Sequence, residues 1–437
     1  MKNMVNAETA LPLKGFKWLL LTATVLLTCA CAKSSDVQLD YLKYIPIAGR
    51  DPASAITTIP ELGWSPLSLA WSPDGKRIAF SAASQRPFGV VDIATKKITP
   101  LQTQFTGEGK LHWSQTLNWL VIVQSTAFSV FDMSGEIPKL QYAVDNKFPR
   151  LLNPKGSSVV AIDGEDYLVL AGNTNWRIDT TNPHIAAYNL KTGERKWTYQ
   201  LLNPPFDGRA NGDTGFSLNT ATAAKNTKGD ILVVVNARRG LSVPTLKTDG
   251  TLAHGEEALW IINLTQGKEQ CYINLYDNPK IQKNEYDDPW GTFKGVTLDP
   301  QGKWAITSHS QFTYVFDTQT CQRTRSLEPE LKEGLDNSPK SYFSLPNRKP
   351  GVSQLTVSPD GRWLFGSSYW APNPAKAPMR MWRVADWQQL VDTTYQDNGS
   401  VTTAAFSFDG TQLAFGTSNR ITFYQLKGAT PSTDKKQ

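Results

Sequence analysis

Leu69-Ala70-Trp71-Ser72-Pro73-Asp74-Gly75 is an apolar run closed by a tight turn, and residues 77–81 supply a second apolar run behind it. Pro sets φ early in such a turn and Gly accepts a positive φ at its end, so the stretch reads as two short strands in a hairpin. The unit returns as Leu355-Thr356-Val357-Ser358-Pro359-Asp360-Gly361 and as Ala405-Phe406-Ser407-Phe408-Asp409-Gly410, each followed by a second apolar run. Looser copies are Leu298-Asp299-Pro300-Gln301-Gly302, Leu152-Asn153-Pro154-Lys155-Gly156 and Asn226-Thr227-Lys228-Gly229. The weakest, Trp113-Ser114-Gln115-Thr116-Leu117, has no glycine.

A second unit alternates with the first and closes a later strand. It reads Val91-Asp92-Ile93-Ala94-Thr95, Phe131-Asp132-Met133-Ser134-Gly135, Tyr188-Asn189-Leu190-Lys191-Thr192-Gly193, Ile262-Asn263-Leu264-Thr265-Gln266-Gly267 and Phe316-Asp317-Thr318-Gln319. Trp382-Arg383-Val384-Ala385-Asp386 and Tyr424-Gln425-Leu426-Lys427 are degenerate versions. An Asp or Asn at the strand end can bond the backbone of its own turn. Counted from Asp92 to Gln425, the unit recurs at 40, 57, 74, 54, 66 and 42 residues. The short intervals match a four-stranded propeller blade of about 40–45 residues, and the longer ones require insertions.

Seven alternating copies over residues 54–427 resemble the bacterial WD-repeat and TolB-type propellers. The resemblance implies an all-β fold, a seven-bladed β-propeller of four-stranded antiparallel blades. The pattern departs from true WD repeats, with no Gly-His pair opening the blades and no Trp-Asp pair closing the third strands. The last repeat supplies only three strands, so an N-terminal strand is expected to complete the last blade, and the strand-like run at 55–59 is the candidate. Completing it removes a seam of unpaired strand edges.

The ends carry a different message. Lys14 and Lys17 flank an uncharged, mostly apolar run at 18–28, too short to span a bilayer, which takes about 20 residues. It ends in Leu27-Thr28-Cys29-Ala30-Cys31, which resembles the lipobox of bacterial lipoproteins. That resemblance implies a signal peptide over 1–30, cleavage before Cys31 and lipid attachment there, hence anchoring at a membrane. Ala32 follows, where an aspartate would signal inner-membrane retention, so the expected location is the outer membrane, facing the periplasm. Residues 31–53 then read as a lipidated tether and 428–437 as a disordered tail. The net charge is +6 over the chain, and residues 1–30 hold Lys2, Lys14, Lys17 and Glu8, leaving +4 on the remainder. With no dense basic block, nucleic acid is not an expected partner. Cys271 and Cys321, an exported pair, are a candidate disulfide.

The expected insertions fall on one rim. In a blade the strands run a to d outward from the axis, and the short turns above are all a–b or c–d. The long segments, about 172–184, 237–257, 369–379, 203–215, 276–292 and 327–351, are all b–c or d–a. Insertions gathered on one face often mark the binding face. They carry Trp176, Arg177, Arg238, Arg239, Trp290, Tyr369 and Trp370. Trp, Tyr and Arg dominate interface hot spots, so these are candidate contacts to an envelope protein partner.

Catalytic motifs are not evident. His112, His184, His254 and His309 show no metal-ligand spacing, no Gly-x-Ser-x-Gly occurs, and no phosphate loop occurs. Glu285, Asp287 and Asp288 are three close carboxylates that read as a solvated acidic loop, with Ca²⁺ as the alternative. Asp163, Glu165 and Asp166 read as surface charge beside a strand. The expected role is therefore a tethered protein-binding scaffold without a cofactor. The alternative is a quinone- or calcium-dependent propeller enzyme or small-ligand binder with its site on the axis. The stretch 187–197, which looks like one tryptophan-bearing repeat of quinoprotein propellers, supports that alternative.

Overall fold

The computed structural model describes residues 39–46, 66–82, 88–103, 109–125, 127–145, 152–173, 184–201, 214–241, 245–246, 252–253, 256–275, 295–308, 313–327, 352–368, 378–394, 401–417 and 420–426. All regular structure among them is β.

Strand β1 (Leu39–Pro46) is followed by a first four-stranded sheet of β2 (Pro66–Trp71), β3 (Arg77–Ala82), β4 (Phe88–Asp92) and β5 (Ile98–Leu101). The second sheet is β6 (Gly109–Trp113), β7 (Trp119–Gln124), β8 (Ala127–Asp132) and β9 (Lys139–Asp145). Next come β10 (Leu152–Ile162), β11 (Glu165–Asn173), β12 (His184–Asn189) and β13 (Arg195–Gln200). They are followed by β14 (Thr214–Lys225), β15 (Ile231–Leu241), a two-stranded ribbon of β16 (Thr245–Leu246) and β17 (Leu252–Ala253), β18 (Glu256–Asn263) and β19 (Lys268–Asn274). These two antiparallel quartets join in one eight-stranded sheet through a parallel bridge, Gly156 opposite Ala221. A further sheet is β20 (Gly295–Leu298), β21 (Trp304–Ser308), β22 (Thr313–Asp317) and β23 (Arg323–Ser326). Another is β24 (Gln354–Val357), β25 (Trp363–Ser367), β26 (Pro378–Arg383) and β27 (Gln388–Thr394). Finally β28 (Thr403–Phe406), β29 (Gln412–Thr417) and β30 (Arg420–Leu426) take β1 as their fourth strand.

The strands read as continuous apolar runs because both their faces are buried. In β7, Leu120 and Ile122 pack toward the first sheet, while Val121 and Val123 pack toward β11 and β12. In β15, Val233 and Val235 face the preceding quartet, while Leu232 and Val234 face β20–β22. Each pair of successive quartets shares its own apolar cluster. One cluster joins Leu69, Trp71, Ile78 and Phe80 of the first sheet to Ala414, Ile421 and Phe423 of the last. Trp71 Nε1 also donates to Ala405 O at 2.9 Å across that contact.

The turns carry the local chemistry that the sequence suggests. Ser72 Oγ donates to Asp74 Oδ1 (2.5 Å), which also accepts from the Lys76 amide (3.0 Å), while Arg77 N donates back to Ser72 Oγ (2.9 Å). The Ser358/Asp360 and Ser407/Asp409 turns repeat this arrangement. In the other unit, Asp92 Oδ1 accepts from the Thr95 amide and hydroxyl, both at 2.8 Å, and these bonds hold its carboxyl below the ordinary range.

Two expectations are corrected. The hairpin turn of β10 and β11 is Asp163-Gly164, both at positive φ, rather than 153–156, which lies inside β10. Gly156 is needed there for a different reason: a Cβ would overlap the carbonyl oxygen of Ala221, where the two backbones approach. The strand completing the last sheet is Leu39–Pro46, inside the stretch expected to be a tether, whereas 55–59 lies outside the described residues. Its register with β30 slips between Tyr41 and Lys43, a bulge that breaks the simple alternation a strand is recognised by.

Candidate functional site

Outside the β10–β14 bridge, the first strand of each quartet has one edge with no strand beside it, and the N–H and C=O groups there still need partners. Side chains from adjacent sheets supply several. Ser68 Oγ of β2 accepts from the Leu111 amide of β6 at 2.9 Å. His112 Nε2 of β6 lies 2.7 Å from Ser157 Oγ of β10, and Ser158 Oγ accepts from the Ala223 amide of β14 at 3.0 Å. Gln354 Nε2 of β24 donates to Thr402 O beside β28 (2.5 Å), and Thr402 Oγ1 donates to Pro66 O at the start of β2. Small hydroxyl side chains recur on these strands because they reach a neighbouring backbone without filling the space between.

That space is a cavity of about 780 Å³, lined from β2, β6, β10, β14, β20, β24 and β28. Its volume falls in the range of ligand sites, roughly 300–1,000 Å³. Serine and threonine dominate its polar wall. Its ionisable side chains, among the described residues, are Lys110, His112 and Lys225, with no aspartate or glutamate. On β6 the alternation places Lys110, exposed, and His112, half-buried, on the cavity face, while Leu111 and Trp113 enter the core. Burial, reinforced by the Lys110 charge, holds the imidazole far below its usual value, at about 3, so His112 is neutral at physiological pH. The described part of the wall, with ammonium groups and no carboxylate, offers a divalent cation none of the charged oxygen ligands it prefers. The described residues contain no group of three His, Cys, Asp or Glu placed to hold a metal ion.

Of the residues expected to contact a partner or to pair as a disulfide, the described ones do not line this cavity. Arg238 and Arg239 lie within β15, not in a loop, opposite Glu257 and Glu256 of β18. Cys31, Trp176, Arg177, Trp290, Tyr369 and Trp370, with the acidic stretch Glu285–Asp288, lie outside the described residues. Cys271 of β19 is disulfide-bonded to Cys321, in the turn after β22, with Cα atoms 5.6 Å apart. The bond joins two successive quartets.

Asp166 is not surface charge. It is 3% exposed, and its Oδ2 accepts from Ser114 Oγ and from the amide and hydroxyl of Thr116, at 3.1 and 3.0 Å. It thus serves the glycine-less turn of β6 and β7 as Asp74 serves its own turn. Composition hints at the cavity only through the Ser and Thr on first strands, and nothing local marks Lys110, His112 and Lys225 as neighbours of one space. No protein-family model matches this chain, and no curated protein matches it.

Proposed function

We propose that this chain is an exported lipoprotein, cleaved before Cys31 and anchored through it, whose remainder closes as a seven-bladed propeller and binds an envelope protein partner. Closure is supported by seven first strands around one cavity and by the apolar cluster between the last sheet and the first. The observation that carries the binding reading is where the chain is long between strands. The a–b and c–d turns, such as 72–76, 163–164 and 318–322, are short and bonded to themselves. The segments 174–183, 202–213, 276–294, 328–351 and 369–377 all belong to b–c or d–a connections. One rim is therefore trimmed and the other elaborated, and long connections in compact domains tend to carry function. The elaborated rim contributes Trp176, Arg177, Trp290, Tyr369 and Trp370 to the docking face.

The test is crosslinking in intact cells, with partners read by mass spectrometry. One reproducible envelope protein should be captured by the native chain and lost from a Trp290→Ala, Trp370→Ala double variant. Retention by that variant, with the protein folded, sinks the rim reading. A Cys31→Ser variant should lose acyl labelling and leave the membrane fraction; continued membrane association would overturn the anchor.

A further inference from the structure

We propose that the cavity framed by the first strands is a binding site for a small anion bearing carboxylate or phosphate groups. This goes beyond the rim reading and does not depend on it. Three features converge. The described lining has lysines but no acidic side chain, so its field favours negative charge, and low-dielectric walls concentrate that field. Its polar surface consists of hydroxyls, an imidazole and amide side chains, groups that can donate to anionic oxygens without bringing a competing charge. The third is Ser367, a lining residue whose Oγ is buried without a protein partner, leaving a donor that the fold itself does not use.

Lys110 and His112 mark the end of the cavity where the anion should sit. They share one face of β6, and Ser157 fixes the imidazole ring from β10. A neutral imidazole can donate one hydrogen bond beside the ammonium, and an anion there would also raise the His112 pKa by direct attraction. The volume fits a compact metabolite rather than a polymer segment.

The experiment is titration calorimetry and thermal melting of the full-length protein in detergent. Citrate and inorganic phosphate serve as probes, glucose and spermidine as neutral and cationic controls, all at constant ionic strength. The expected result is saturable binding of citrate or phosphate with a Kd below about 1 mM and a rise in melting temperature. The tighter of the two identifies the preferred anionic group. Lys110→Gln should weaken binding at least about tenfold, and Lys110→Arg, which keeps the charge, should largely retain it. The proposal is overturned if neither anion saturates, if glucose or spermidine binds as well, or if Lys110→Gln binds like the native protein. Should Lys110→Gln melt as a destabilised protein, the His112 ring of the native protein decides by NMR: saturating citrate or phosphate should shift its resonances and raise its pKa, and resonances that do not move overturn the proposal.

Discussion

The His112 imidazole is strongly shifted by burial. Its folded pKa of about 3 lies below the ordinary value of 6.5, so the folded state binds fewer protons between those limits than the unfolded chain. The stability it contributes is present above pH 6.5 and is lost as pH falls toward 3. In melts from pH 7 to pH 4, His112→Gln should therefore lose less than the native protein, by about 2–4 °C over the window. Parallel curves would remove His112 from the acid response. At the same scale, Asp166 shows what a single carboxylate does for a turn. Asp166→Ala strips an acceptor from Ser114 and Thr116, and chemical denaturation should show a loss of about 2–4 kcal/mol. Asp166→Asn, which keeps an oxygen there, should cost less. If Asp166→Ala unfolded like the native protein, these hydrogen bonds would not be what holds the turn.

Among the elements, β10 and β14 are set apart by their direct backbone bridge. Elsewhere the quartets meet through side chains, whereas here Gly156 lets two first strands touch. Gly156→Val should push the strands apart and cost about 1–3 kcal/mol, the range for forced overpacking, measured by urea unfolding. A neutral outcome would mean that the eight-stranded sheet readily relaxes into two. The closing turns of third strands show a related economy. Lys96, Cys321 and Trp387 hold positive φ at the register where Gly193 and Gly267 stand. Trp387 is secured there by the Trp304 ring, with centroids 5.2 Å apart.

For the molecule as a whole, the Cys271–Cys321 bond spans 50 residues and ties two successive quartets. Closing a loop of that size in the unfolded chain corresponds to about 4 kcal/mol in the chain-entropy account. A Cys271→Ala, Cys321→Ala variant should unfold at lower denaturant by that order, and reduction should produce the same loss in the native chain alone. A native protein indifferent to reductant would contradict a stabilising crosslink. The same scale holds the cavity, which no single repeat contains, since every quartet contributes its first strand to the wall.

The repetition of two alternating units and most of the hairpin turns are legible in the sequence alone, the β10–β11 turn excepted. The bonds responsible close within about five residues, as between Ser72, Asp74 and Arg77, so their chemistry is written contiguously. It also placed the long connections at the b–c and d–a positions, because length between strands is a one-dimensional quantity. Only the tertiary structure decided that Asp166 serves a turn about fifty residues away, that Leu39–Pro46 rather than a later run pairs with β30, and that Gly156 is a point of contact rather than of turning. It alone brought Lys110, His112 and Lys225 to one space free of carboxylates among the described residues. Each of these depends on strands from different repeats meeting, and apolar periodicity specifies that a face is buried without specifying which neighbour buries it.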